Sequence, residues 1–181
     1  MRETRPIRVA IVGCGNIAGR YAECLATRPD KVTLIGAFDV DPGRTAAFAS
    51  THRCRPYDTL DRLLADPEIE AVINLTAHHA HAEVTLAALE AGKHVHSEKP
   101  LAATWKDAIQ CVELAAARGL RLSCSPFTFL GEAQQTLRRA LQDGRIGRVF
   151  AVYTEMNWSR IESWHADPEG FYQPGAGPLL D

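Results

Sequence analysis

Ile7-Arg8-Val9-Ala10-Ile11-Val12-Gly13-Cys14-Gly15-Asn16-Ile17-Ala18-Gly19 is the stretch from which the rest of the chain is read. Its first half is apolar and β-branched, as a buried strand requires. It breaks at Gly13 and Gly15, and from Ile17 to Thr27 apolar residues recur at helical spacing. Strand, glycine turn and helix form the context in which G-x-G-x-x-G/A means dinucleotide binding. The small positions here are Gly13, Gly15 and Ala18. Gly13 lets the chain turn off the strand, Gly15 lets a pyrophosphate approach the backbone, and Ala18 lets the helix lie close on the strand. The amides opening that helix then face the phosphates with the helix dipole behind them.

A Gly-x-Gly turn alone is common, and a second feature gives it weight. Val32-Thr33-Leu34-Ile35-Gly36-Ala37-Phe38 reads as another buried strand and runs into Asp39. A ribose-binding carboxylate belongs at the end of the second strand, about 20 residues past the glycines. Asp39 is therefore expected to accept from both adenosine ribose hydroxyls, a charge-assisted bond being worth roughly 1.5–3 kcal/mol. The same carboxylate repels a 2′-phosphate, which favours NAD over NADP, and Arg44 nearby softens that preference. The competing reading makes the glycines a structural turn and Asp39 or Asp41 a helix cap.

Outward from there, helices and strands alternate. Asp41-Pro42 opens a helix to about Ser50, and Cys54–Tyr57 suits an edge strand. Asp58 caps a short helix through Leu64, and Ala71–Leu75 is the next strand. A helix follows from about His81 to Ala91, then a short strand His94–His96 leading to Ser97-Glu98-Lys99-Pro100. Thr104 caps a helix to Arg118, and Leu120–Cys124 is a further strand. This alternation predicts an α/β fold with a doubly wound parallel sheet of Rossmann type over residues 1–125. Residues 126–181 read differently. A helix is expected from Gly131 to Asp143, and a long alternating strand from Arg148 to Trp158. A loop-rich run, Pro168–Pro178, follows, and Leu179-Leu180-Asp181 looks like a first helical turn. One helix and one strand cannot bury a core of their own. The second region is therefore expected to be the incomplete beginning of a substrate or oligomerisation domain, and the chain a truncated one.

Composition sets the limits. In 181 residues, 46% are apolar and the net charge is −2, with no basic or acidic run that would suit nucleic acid or an anionic membrane. No apolar stretch approaches the ~20 residues of a membrane helix, and Met1–Pro6 lacks a signal-peptide core. Cys14, Cys24, Cys54, Cys111 and Cys124 are an odd set without paired spacing, read as reduced thiols of a cytoplasmic protein.

At Glu98-Lys99-Pro100-Leu101 the chain resembles the Gfo/Idh/MocA oxidoreductases, the family of glucose–fructose oxidoreductase and inositol dehydrogenase. The glycine loop, the Thr76…His81 segment, Ser125-Pro126…Phe129-Leu130-Gly131 and Trp164-His165…Gly175–Asp181 are similar too. The resemblance implies NAD(P) in the first domain and a sugar or polyol at its junction with the second. It implies that Gly13, Gly15, Asn16 and Ile17 hold the pyrophosphate and Asp39 the ribose. Thr76 and His81 would line the adenosine side or support that loop, and Glu98 and Lys99 would lie near the nicotinamide ribose and the reacting carbon. Asp181 matches the acid opening the family's Asp-x-Gly-x-His/Tyr motif. The chain departs from the pattern at Ala77-His78, where Pro-Asn is usual, and at Phe127, where a polar residue is common. The His or Tyr that should follow Asp181 is not in the sequence.

The chemistry fits these residue types. Oxidising a secondary alcohol moves a hydride to the nicotinamide and a proton to a base. The Lys99 ammonium, after a short strand and before Pro100, suits the substrate hydroxyl and developing alkoxide charge, and general base catalysis is typically worth 10²–10⁴-fold. The competing reading of Lys99 is a solvated surface lysine. His78, His79, His81, His94 and His96 raise the question of a metal, but no carboxylate or cysteine stands beside them at zinc spacing, and no metal is expected. Trp164-His165 suits a sugar face, or an interface. Two functions stay open: an NAD-dependent dehydrogenase acting on a sugar, cyclitol or related polyol, homo-oligomeric when full-length, and a non-catalytic dinucleotide-binding module.

Overall fold

The structure is a computed structural model that describes residues 5–126, 128–155, 161–164 and 168–173. The chain divides into two compact units, Met1–Ser125 and Pro126–Asp181. The first contains β1 (Ile7–Val12), α1 (Ala18–Ala26), β2 (Val32–Phe38), α2 (Pro42–His52), β3 (Arg55–Pro56) and α3 (Leu60–Ala65). It continues with β4 (Ala71–Asn74), α4 (His81–Glu90), β5 (His94–Ser97), α5 (Trp105–Ala117) and β6 (Leu122–Cys124). The six strands form one sheet in the order β3-β2-β1-β4-β5-β6, every pair parallel. This is the doubly wound Rossmann arrangement.

The two-residue period of β1 divides the core. Ala10 and Val12 face one cluster with Leu63 of α3, Val84 and Leu89 of α4 and Ala115 of α5. Val9 and Ile11 face the other, with Ala18 and Ala22 of α1 and Phe48 of α2. Both faces are thus covered, which is why residues 9–12 of β1 read as an unbroken apolar run rather than an alternating one. Burial of each large aliphatic side chain contributes about 1.5–3 kcal/mol, and Ile11, Leu63 and Leu89 are fully buried.

Local chemistry sets the helix starts. Asp41 caps α2 by accepting from the Gly43 and Arg44 amides at 2.8 and 3.3 Å, with Pro42 in the first turn. Thr104 caps α5, accepting from Asp107 N–H at 3.2 Å. The cap of α3 is Thr59, not the Asp58 expected from sequence. Its hydroxyl accepts from Arg62 N–H at 3.2 Å, while Asp58 pairs with the Arg62 side chain one turn on. At the amino-terminal edge of the sheet, Glu70 accepts two bonds from the Arg5 guanidinium (2.6 and 2.8 Å) and one from Arg8 N–H (3.0 Å). The buried Lys93 ammonium donates to the carbonyl oxygens of Asp66 (2.7 Å) and Ile69 (2.9 Å).

In the second unit α6 spans Glu132–Gln142, followed by the short α7 (Ile161–Trp164) and α8 (Pro168–Phe171). The strand expected over Arg148–Trp158 does not form in its described part: residues 148–155 are in no strand, and Phe150, Val152 and Tyr153 are exposed. An alternating run becomes a strand only against a neighbour, and none of the six strands lies in this unit. Pro168–Phe171, expected as loop, makes one helical turn. Leu179–Asp181 lie outside the described residues.

Candidate nucleotide-binding cleft

The sheet order reverses direction at β1, and β1 and β4 diverge into helices on opposite faces. A crevice forms beyond their carboxyl ends, the usual ligand position in open α/β sheets. A cleft of about 580 Å³ lies there, walled by Gly13 and Gly15, by Asp39, Val40 and Arg44 after β2, and by Thr76, Ala77 and His79 after β4.

The two glycines do different things. Gly13 has φ +95°, and a Cβ on it would come within 2.6 Å of the Leu75 carbonyl carbon and oxygen. The end of β4 therefore forbids any side chain there. Gly15 has no positive φ, and a Cβ on it would meet nothing within 4 Å. No atom of the described residues requires Gly15 to be glycine; its bareness serves what enters the cleft. The helix behind it opens without help, since Ile17 at its N-cap makes no side-chain cap bond, and Ala18 is fully buried. Uncapped amides at the head of a helix favour an anionic group.

Asp39 is braced from two sides. Its Oδ2 accepts from Cys14 N–H at 2.7 Å, within the glycine loop, and its Oδ1 from Asp41 N–H at 2.9 Å. Each carboxylate oxygen keeps a lone pair for a ribose hydroxyl. Thr45 adds a further tie, its hydroxyl accepting from Asp39 N–H at 2.8 Å. Burial first, and then the Asp39 charge, push the Cys14 thiol up to about 12, so it packs in the loop as an inert group.

Of the other residues expected in the site, Thr76 lines the cleft, and its hydroxyl donates to Asn74 Oδ1 at 2.7 Å. Asn16 and Ile17 follow Gly15 in the loop but are not on the cleft wall. His81 is buried behind that wall, 2% exposed, so it supports the site without lining it. Its Nε2 lies 2.8 Å from the Thr76 carbonyl oxygen and its Nδ1 2.6 Å from that of Pro100. Glu98 and Lys99 follow β5 two strands away from β1, outside the wall of this cleft. His165 and Asp181 lie outside the described residues, as does Phe127, and of Trp164 only its place at the end of α7 is described. Among the described residues no group of three His, Cys, Asp or Glu could hold a metal ion. Sequence reasoning missed Val40, 90% exposed beside Asp39, and His79. Val40 had a signal, an apolar residue just past the ribose acid and off the core; His79 had none beyond its place after β4.

Fold and cleft together define a dinucleotide-binding protein. The family model described as "Oxidoreductase family, NAD-binding Rossmann fold" (GFO_IDH_MocA) matches residues 7–125, and the chain belongs to that family. A 1,5-anhydro-D-fructose reductase of Ensifer adhaerens is 32% identical over 182 residues, 96% of this chain and 52% of the relative. The chain thus spans about half the length of such relatives. Among solved structures, the WlbA dehydrogenase from Bordetella pertussis, in complex with NADH and UDP-GlcNAcA, superposes with a TM-score of 0.76 at 29% identity, over 81% of this chain and 44% of that one. Biliverdin reductase from Synechocystis sp. PCC 6803, in complex with biliverdin and NADP+, gives 0.68 at 37% identity, over 80% and 45%. Among the described residues no helix is long and apolar enough to cross a membrane.

Proposed function

We propose that this chain is the nucleotide-binding part of an NAD-dependent dehydrogenase acting on a hydroxyl of a sugar, cyclitol or related polyol. The observation that carries the reading is the pairing of Gly15, whose bareness no described residue requires, with a carboxylate fixed beside it on the same cleft. Gly13, Gly15, Asn16 and Ile17 hold the pyrophosphate. Asp39 takes the adenosine ribose and, with its charge, selects against a 2′-phosphate. Thr76 forms the adenosine side, supported by His81, and Glu98 faces the nicotinamide ribose. The bound nicotinamide supplies hydride transfer. Lys99 bonds the substrate hydroxyl and stabilises negative charge on its oxygen as the proton passes to the base, the His or Tyr of the family's Asp-x-Gly-x-His/Tyr motif, which Asp181 assists; Trp164 and His165 contact the sugar. The sugar-linked relative and neighbour support this substrate class. The protein is cytoplasmic, and the full-length enzyme is a homo-oligomer with residues 126–181 in its second domain.

NADH and NADPH titrations followed by nucleotide fluorescence test the binding. A turnover panel of sugars and cyclitols, with biliverdin as the contrasting substrate, tests the chemistry. Tight NADH binding that Asp39→Ala abolishes is the expected result. Equal affinity for NADPH refutes the role of Asp39, and turnover of biliverdin alone refutes the substrate class. Binding without turnover by a chain carrying the remaining length of its relatives favours the non-catalytic module.

A further inference from the structure

Helix α1 and the turn after β5 meet in a polar cluster that the cleft does not use. The Tyr21 hydroxyl, in the first turn of α1, donates to Glu98 Oε1 at 2.6 Å. It also lies 3.0 Å from Ser125 Oγ and 3.4 Å from His96 Nε2. Ser125 Oγ is 3.3 Å from His96 Nε2, and His96 Nδ1 is 3.0 Å from Ser123 Oγ. The second Glu98 oxygen, Oε2, accepts from Lys99 N–H at 3.0 Å. Both oxygens of this carboxylate are therefore directed, one by its own turn and one by a phenol on the helix that follows the glycine loop.

We infer that Tyr21 is a positioning residue for the cofactor: its hydroxyl aims Glu98 and ties the helix behind the pyrophosphate loop to the Glu98-Lys99 turn. This rests on the reading that Glu98 faces the nicotinamide ribose. The phenol has one proton to give, and the carboxylate at 2.6 Å, the shortest of its contacts, receives it. Burial first and then the Glu98 bond push the phenol up to about 12, so it stays a donor across the working range. Burial pushes the His96 imidazolium down, against the pull of Glu98. A phenylalanine fills the same space and loses the hydroxyl's contacts with Glu98, Ser125 and His96.

The test is a double-mutant cycle on NADH affinity in the 181-residue chain, comparing wild type, Tyr21→Phe, Glu98→Gln and the double variant, with thermal unfolding in parallel. Tyr21→Phe is expected to weaken NADH about tenfold, the scale of one lost charge-assisted bond. In the Glu98→Gln background the same change should add less than twofold. Tyr21→Phe binding NADH like wild type while Glu98→Gln weakens it overturns the role of Tyr21 alone. Effects that multiply overturn it as well, since a purely structural loss would act equally in both backgrounds. Glu98→Gln binding like wild type overturns the placement of Glu98 itself. A measurement on the unmutated tyrosine guards against a misfolded variant. In protein labelled with 13C at tyrosine Cζ, the Tyr21 resonance should move on NADH saturation in wild type and stay in place in Glu98→Gln. A resonance that NADH leaves unmoved in wild type overturns the inference.

Discussion

Gly13 and Gly15 stand two residues apart in one loop, and alanine at each should give opposite signatures. At Gly13 the backbone has φ +95°, where an L-residue is strained by about 1–2 kcal/mol. The new Cβ would also sit 2.6 Å from the Leu75 carbonyl and 2.7 Å from the Thr76 amide nitrogen. Those are backbone atoms at the end of β4, which pairs with β1 up to Val12–Asn74. They cannot swing aside as a side chain would, and forced overpacking costs typically 1–3 kcal/mol. Together the two effects cost about 2–5 kcal/mol, or roughly 5–15 °C in Tm at this chain length. At Gly15 the backbone is not in the positive-φ region and the methyl meets nothing within 4 Å. Alanine there should leave stability unchanged or raise it by about 0.4–1 kcal/mol through the unfolded chain. That methyl projects where a pyrophosphate must approach the backbone, so NADH affinity should fall at least tenfold. Scanning calorimetry and NADH titration on the two variants read both quantities. Gly15→Ala that binds NADH like wild type would refute the argument that the cleft, not the fold, requires this glycine; Gly13→Ala as stable as wild type would refute the account of the turn.

Three further outcomes follow from the ties around the sheet. Asp39→Asn places an amide where two backbone N–H groups need acceptors; one bond is lost, stability should drop by about 1.5–3 kcal/mol, and NADH should bind at least tenfold more weakly, by urea unfolding and calorimetric titration. Glu70 is held down at about 2, from an ordinary 4.5, by the Arg5 guanidinium first and then the Arg8 amide. Because the folded value lies below the unfolded one, this stabilisation is present above pH 4.5 and is lost as pH falls toward 2. Arg5 is largely exposed, so solvent screens the pair. Urea midpoints between pH 5 and 2.5 should therefore fall less steeply for Glu70→Gln than for wild type. Lys93→Met leaves the Asp66 and Ile69 carbonyls without their buried donor and should cost about 1–3 kcal/mol in urea unfolding at pH 7.

What could be read from the chain tracks what is local. The β1 apolar run, the Gly13 turn, the β2 run ending in Asp39 and the Thr104 cap depend on neighbours within a few residues, and the strands and helices of the first unit fall within a residue or two of their expected places. Ala71–Asn74 was legible because burial on both faces leaves little choice of residue, and His94–Ser97 because Val95 stands between polar neighbours in an alternating, half-buried run. The α3 cap was misread because Asp58 and Thr59 are adjacent and both suit the position; only the geometry selects Thr59. The run over 148–155 was misread because alternation specifies which face a strand would bury and says nothing about a partner. His81 shows the limit at the site. A histidine opening a helix after β4 suits either the cleft or the support of its loop, and what distinguishes the two is burial and a contact with Pro100, 19 positions further on, which has no signature in local spacing.

That imidazole acts as a hinge pin. Its two nitrogens sit against the Thr76 carbonyl, on the cleft wall, and the Pro100 carbonyl, in the turn after β5 and off that wall. The wall and the turn are therefore coupled through one rigid ring, and a shift of the turn is felt at Thr76.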